Sequence, residues 1–173
     1  MIGLDGRLER WVVGHRVGWL NDVFVWLSRV GTWGLVWVGI AIVLAAIWRR
    51  PNVLLLVVPT DALADLSARG LKDAIGRERP QTSHLVPLPS DSSFPSGHAA
   101  TSFACALVLA AAWPELAGVL FLLAAAIAFS RVYVGVHYPL DVVGGAGLGL
   151  VVATALLLLA RVRPRSRPGS LPG

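Results

Sequence analysis

The sequence predicts an all-α integral membrane bundle with about five transmembrane helices and an N-terminal interfacial helix, and three observations predict it. Hydrophobic residues make up 55% of the 173, above the ~45–50% of ordinary soluble domains, and the mean hydropathy is +0.69. Apolar stretches near the ~20 residues needed to cross a bilayer recur along the chain. The net charge is +5, but basic residues collect at the ends of these stretches and in the tail. That pattern suits a membrane surface and excludes the continuous basic stripe of a nucleic-acid binder.

Residues 1–29 mix Trp11, Trp19, Phe24 and Trp26 with Arg7, Arg10, Arg16, Asp22 and Arg29, so an amphipathic helix lying in the interface is expected. No signal peptide is expected there, because no continuous apolar centre leads to a small-residue cleavage site. The transmembrane domain is predicted over 30–160. Its first span covers 30 to 48, uncharged and closed by Arg49-Arg50-Pro51. The second, 52 to 70, contains Pro59, Asp61, Asp65 and Arg69, which must face protein or water. The third and fourth run over 99 to 113 and 116 to 129, and the fifth over 142 to 160. The fifth begins with Gly144, Gly145, Gly147 and Gly149, which allow neighbouring helices to approach closely. If residues 9 to 28 cross as well, there are six spans, with the later loops on the same sides. A basic tail, 161–173, and Arg49-Arg50 mark the cytoplasmic side. The single cysteine, Cys105, is read as a small core residue.

This topology brings the polar chemistry to one face. Fourteen of fifteen basic residues are arginine, which leaves Lys72 as the sole lysine. Six residues separate it from Arg79-Pro80, so one or two helical turns can place both cations at one site, with the proline ending the helix. An arginine fork grips two oxygens of an oxyanion and a lysine adds a point charge. Pro95-Ser96-Gly97-His98 opens a helix whose first N–H groups favour an anion. With the Ser96 hydroxyl, the backbone at Gly97 and Arg131, a cradle for a tetrahedral phosphate results. His137 lies four residues before Asp141, so the carboxylate can accept from one imidazole nitrogen and leave the other as a nucleophile. His98 is placed to protonate the departing group.

Other polar residues receive plainer readings. His15 and His84 are ordinary interfacial histidines, and Arg69 and Arg77 touch headgroups or acidic neighbours. Asp61 and Asp65 share the helix face of Lys72. They are expected to pair with Arg69 or with an arginine of another helix; alternatively, Asp65 tunes the site or contacts a substrate headgroup.

The three motifs, Lys72-x6-Arg79-Pro80, Pro95-Ser96-Gly97-His98 and Ser130-Arg131-x5-His137-x3-Asp141, occur in this order over residues 72 to 141. The chain thereby resembles the type 2 phosphatidic acid phosphatase family, membrane lipid phosphatases whose catalytic core is similar to that of vanadium haloperoxidases. The resemblance implies an all-helical core and metal-independent, cofactor-free hydrolysis through a phosphohistidine. It also implies that Lys72, Arg79, Ser96, Gly97 and Arg131 hold the phosphoryl group, His137 attacks, Asp141 orients His137, and His98 protonates the leaving group.

The expected substrate is a polyprenyl diphosphate of the undecaprenyl type, since a compact bacterial-looking chain with no extra domain resembles members that recycle the cell-wall carrier. Phosphatidylglycerophosphate, phosphatidate and a prenyl phosphosugar follow. The expected location is a bacterial plasma membrane with the site on the outer face. Expected partners are the lipid phosphate and the bilayer, with no nucleic acid. A haloperoxidase is disfavoured by five spans and a lipid-accessible site. A non-catalytic lipid-phosphate binder is disfavoured by the His137–Asp141 pair, since binding needs no nucleophile.

Overall fold

The structure, a computed structural model, describes residues 3–162; the predicted basic tail lies outside the described residues from 163 onward. Among those residues are seven α-helices and no strand: α1 Leu4–Gly14, α2 Gly18–Val30, α3 Leu35–Ile47, α4 Leu54–Ile75, α5 Gly97–Ala112, α6 Ala117–Tyr133 and α7 Pro139–Val162. The all-helical class expected from composition is what the chain adopts.

The burial pattern is that of a protein in lipid. Leu35, Ile42, Leu122, Val151 and Leu159 are more than half exposed, while Ala41, Ala64, Ala104, Ala124 and Ala153 are fully buried. Large apolar side chains gain nothing by leaving an apolar solvent, whereas small ones let helix backbones approach and gain dispersion contacts. The closest approach is between α5 and α7. A β-carbon added to Gly145 would lie 2.3 Å from the Ser96 carbonyl oxygen, and one added to Gly149 would lie 2.1 Å from that of Ala100. The glycine-rich start of α7 therefore seats its backbone directly on the first turn of α5.

Among the described residues two helices are long and apolar enough to cross a membrane, Pro114–Tyr133 and Pro139–Ala160, and the bent pair Gly18–Val30 with Leu35–Ile47 makes a third if it is one span. Gly97–Ala112 is apolar but shorter, and α4, 22 residues long, carries Asp61, Asp65, Arg69, Lys72 and Asp73.

Two helix boundaries differ from the sequence reading in ways that shape the site. The span expected from residue 30 starts at Leu35, because Gly34 takes a left-handed conformation, φ 64°, and α2 and α3 meet at 75°. The Asp61 carboxylate occupies the space a Gly34 side chain would need, 1.9 Å from the position of its β-carbon. Where one interfacial helix was expected, residues 4–30 form two helices, α1 and α2. They break after α1, where the His15 N–H bonds back to Trp11 and Val12 and the Arg16 Nε donates to the Tyr133 carbonyl at 2.7 Å. Helix α1 also packs on the loop between α4 and α5: Glu9 is 1% exposed and accepts from Thr82 Oγ1 at 2.6 Å.

Gly149→Ala has no room to be accommodated, since the obstructing atom is backbone. Overpacking of this kind costs about 1–3 kcal/mol, so the detergent-solubilised variant is expected to unfold at lower temperature. An unchanged Tm would show that α5 and α7 can separate freely.

Candidate active site

Lys72 sits in the last turn of α4, nearly buried, and donates from Nζ to the Ser92 carbonyl at 2.6 Å and to Asp91 Oδ2 at 2.8 Å. The helix stops at Gly76, φ 66°, not at Pro80 as the spacing suggested. A left-handed glycine ends a helix by turning the chain away, and the turn carries Arg79 back over Lys72. The Arg79 guanidinium is saturated with partners. Nε donates to the Asp91 carbonyl at 2.8 Å, Nη2 to Asp91 Oδ1 at 2.6 Å, and Nη1 to the Val136 carbonyl at 2.7 Å and His137 Nε2 at 3.2 Å. The Asp91 carboxylate thus bridges both cations. Although partial burial would raise it, hydrogen bonds from Lys72 and Arg79 hold its pKa down at about 2.

The Arg79 contact decides the tautomer of His137. Guanidinium can only donate, so Nε2 must present its lone pair and Nδ1 must carry the proton, which it gives to Asp141 Oδ2 at 3.4 Å. Burial, with Arg79 and Arg131 nearby and only partly opposed by Asp141, pushes the His137 pKa down to about 4. The ring is therefore neutral at physiological pH, with an unprotonated Nε2. Asp141, fully buried in the first turn of α7, also accepts from the Tyr138 N–H at 2.8 Å and from Ser93 Oγ, and its other oxygen takes Arg77 Nη1 at 2.6 Å.

The remaining walls come from α5, α6 and the α2–α3 bend. Ser96 is fully buried and caps α5, accepting from the Ala99 N–H at 3.4 Å, and its own N–H bonds to the Asp141 carbonyl at 2.9 Å. His98 Nε2 faces the Ser28 carbonyl at 3.1 Å, an obligate acceptor, so that nitrogen bears a proton. Arg131 Nη1 donates to Ser28 Oγ, while its Nε is buried with no partner among the described residues.

A cavity of about 460 Å³ joins these groups. Lys72, Arg79, Gly97, His98, Arg131 and His137 line it, together with Asp65, Arg69 and Asp91. Three cations against a single shared carboxylate leave positive charge uncompensated in a partly buried space. A phosphoryl group would supply the missing acceptors, including one for Arg131 Nε.

Residues from all three sequence motifs thus converge on one site. Ser96 underlies the wall and Gly97 borders the cavity. Asp65 lines the cavity and pairs with Arg69 at 2.7 Å, the pairing expected of it. Asp61 does not line it; its Oδ1 lies 3.7 Å from Cys105 Sγ. Sequence reasoning gave Arg77 headgroups or acidic neighbours but not Asp5 and Asp141 as its partners, and it passed over Ser28, Ser93 and the bridging role of Asp91. A second arginine two residues before Arg79, and an acid just ahead of Ser93, were the signals available for Arg77 and Asp91. Nothing in the sequence pointed to Ser28.

The sequence model of the PAP2 superfamily matches residues 34–165. The chain belongs to this superfamily. Among PAP2 relatives, an undecaprenyl-diphosphatase of Sulfolobus acidocaldarius is 32% identical over 156 residues, 86% of this chain and 74% of that protein. Phosphatidylglycerophosphatase B of Bacillus subtilis is 33% identical over 165 residues, 86% of this chain and 79% of the other. Of solved structures, a transmembrane PAP2-type phosphatidylglycerolphosphate phosphatase from Bacillus subtilis superposes with a TM-score of 0.76 at 28% identity, covering 94% of this chain and 87% of that one.

If Asp91 competes with phosphate for Lys72 and Arg79, Asp91→Asn is expected to tighten inhibition by orthovanadate. Two charge-assisted hydrogen bonds no longer have to be exchanged, which corresponds to about tenfold. Unchanged or weaker inhibition would mean that the carboxylate is needed to hold the two cations in place.

Proposed function

We propose that this PAP2 protein hydrolyses a lipid phosphate or diphosphate through a phosphohistidine on His137, with a polyprenyl diphosphate of the undecaprenyl type as its substrate. The observation that carries the reading is the neutral His137 ring, which lines a cavity walled by Lys72, Arg79 and Arg131 and whose Nε2 lone pair accepts from Arg79. A site built only to bind an anion has no use for an imidazole held in its nucleophilic tautomer.

The steps follow from the donors present. The phosphoryl group displaces Asp91 from Lys72 and Arg79, and Arg79 Nη1 turns from His137 Nε2 to a phosphate oxygen. Nε2 then forms a bond to phosphorus as the bond to the leaving oxygen breaks. The imidazolium that results is stabilised by Asp141 through Nδ1–H, and His98, which enters the step as an imidazolium with Nε2–H kept on the Ser28 carbonyl, gives its second proton, from Nδ1, to the leaving oxygen. Water, deprotonated by His98, next attacks the phosphohistidine, and inorganic phosphate departs with His137 restored. The fixed cations supply the charge stabilisation for which other phosphatases use a metal ion, so the reaction is taken to be metal-independent.

Two observations bear on the substrate. Arg69, on the cavity wall one helical turn before Lys72, offers a cation to a second phosphate, and the Sulfolobus relative is named for a polyprenyl diphosphate. A phosphatidylglycerophosphate is the second reading. The Asp65 carboxylate beside Arg69 would accept from glycerol hydroxyls, and the Bacillus structure is named for that lipid. We place the protein in a bacterial plasma membrane with five spans, formed by α3 to α7, and with the site on the outer face.

Purified protein in detergent, with chelator present, is expected to release phosphate from lipid substrates in the order undecaprenyl diphosphate, phosphatidylglycerophosphate, phosphatidate. His137→Ala should lower turnover by about 10³-fold or more, as loss of a nucleophile does. Equal release by the variant would end the phosphohistidine mechanism, and a reversed order would replace the substrate.

A further inference from the structure

Helix α1 carries none of the three motifs, yet through Arg77 it reaches Asp141, the carboxylate that holds His137. Asp141 has no exposed surface, and a buried carboxylate needs a countercharge; His137, being neutral, does not provide one. The cation in direct contact is Arg77, whose Nη1 donates to Asp141 Oδ1 at 2.6 Å and whose Nη2 donates to Asp5 Oδ2, in α1, at 2.6 Å. The other oxygen of Asp5 accepts the Leu140 N–H at 3.0 Å, so α1 also grips the start of α7 beside Asp141. The guanidinium lies over the Tyr138 ring at 4.3 Å, and the Arg77 carbonyl takes the Ser93 N–H at 2.7 Å, while the Ser93 hydroxyl bonds to Asp141. Every one of these contacts converges on the carboxylate that holds His137.

We propose that Arg77, held between Asp5 and Asp141, is a positioning residue that sets the orientation and the basicity of His137 through Asp141, so that α1 is part of the catalytic apparatus. The proposal rests on His137 being the nucleophile. Arg77 does not line the 460 Å³ cavity and touches no substrate, so its effect falls on the chemical step and not on binding.

The charges around His137 fix the sign of the pH effect. It is faced by Arg79 from the loop after α4, Arg131 from α6 and Asp141 from α7, with His98 of α5 and Lys72 of α4 across the cavity. Arg77 stands behind Asp141 and partly neutralises it. Removing a cation from this set favours the protonated ring, so the acid side of the pH–rate profile moves to higher pH.

The test measures kcat, KM and the pH profile of lipid-phosphate hydrolysis for Arg77→Gln, Arg77→Lys and Asp5→Asn in the full chain, beside His137→Ala. Arg77→Gln is expected to lower kcat by about 10- to 100-fold with KM nearly unchanged, and to move the acid limb up by about half a pH unit or more. Arg77→Lys keeps the charge but cannot span two carboxylates. It should return the limb to the wild-type position while kcat stays reduced. Asp5→Asn retains an acceptor for Leu140 but loosens Arg77, and should lower kcat severalfold without raising KM.

A wild-type limb in a folded Arg77→Gln variant, or a loss confined to KM, would overturn the proposal. If Arg77→Gln does not fold, wild-type kcat in both Arg77→Lys and Asp5→Asn would do the same. Turnover by His137→Ala would instead overturn the mechanism on which the proposal rests.

Discussion

Three cations that cannot leave one another govern this structure. Lys72, Arg79 and Arg131 are each about 6% exposed and border one cavity, so their mutual repulsion has to be balanced from within the protein or by a ligand. The protein balances part of it with the Asp91 carboxylate, with carbonyl oxygens of Asp91, Ser92 and Val136, and with the Ser28 hydroxyl. All of these except Ser28 come from loops, whereas Lys72 and Arg131 stand on helices. The chain between Gly76 and Ser96 is long and irregular because it has to deliver those acceptors to fixed donors. The same constraint sets the state of His137: its lone pair is one more acceptor offered to Arg79, and that contact keeps the proton on Nδ1 and off Nε2.

Asp91 gives this balance a second use. In the state described here it pairs with both Lys72 and Arg79, the two donors that the proposed mechanism gives to phosphate. Neither the arrival nor the departure of a phosphate then leaves two buried cations bare. The cost of emptying the site is reduced at both ends of a turnover, at the expense of affinity.

Much of the site was legible because its groups lie at helix ends, where spacing, glycine and proline translate into position. Lys72, Arg79, His98, Arg131, His137 and Asp141 could be gathered from topology alone, since successive helices return to the same face. The small-residue start of α7 was legible for a similar reason: glycine at one-turn intervals has few uses other than close packing. What could not be read are partners chosen by loop geometry. Arg77 and Arg79 are two residues apart in a segment with no period. Arg79 meets His137, while Arg77 meets Asp141 and, in α1, Asp5, and only the path after Gly76 determines which arginine takes which partner. The break near residue 16 was also hidden. It depends on the Arg16 side chain reaching the Tyr133 carbonyl, 117 positions away.

The contact of α7 with α5 has a consequence for how the protein lives in its bilayer. Gly145 and Gly149 rest on the carbonyls of Ser96 and Ala100, and the Ser96 N–H is bonded to the Asp141 carbonyl. The helices bearing His98 and Asp141 are thus joined main chain to main chain at their starts, at intervals of one helical turn. Bilayers differ in thickness, and spanning helices adjust by tilting. Here a tilt carries both helices together and leaves the spacing of their first turns as it was. The starts of these two helices are thus held to one another by their own backbones, and adjustment to lipid thickness is left to the far ends of the bundle.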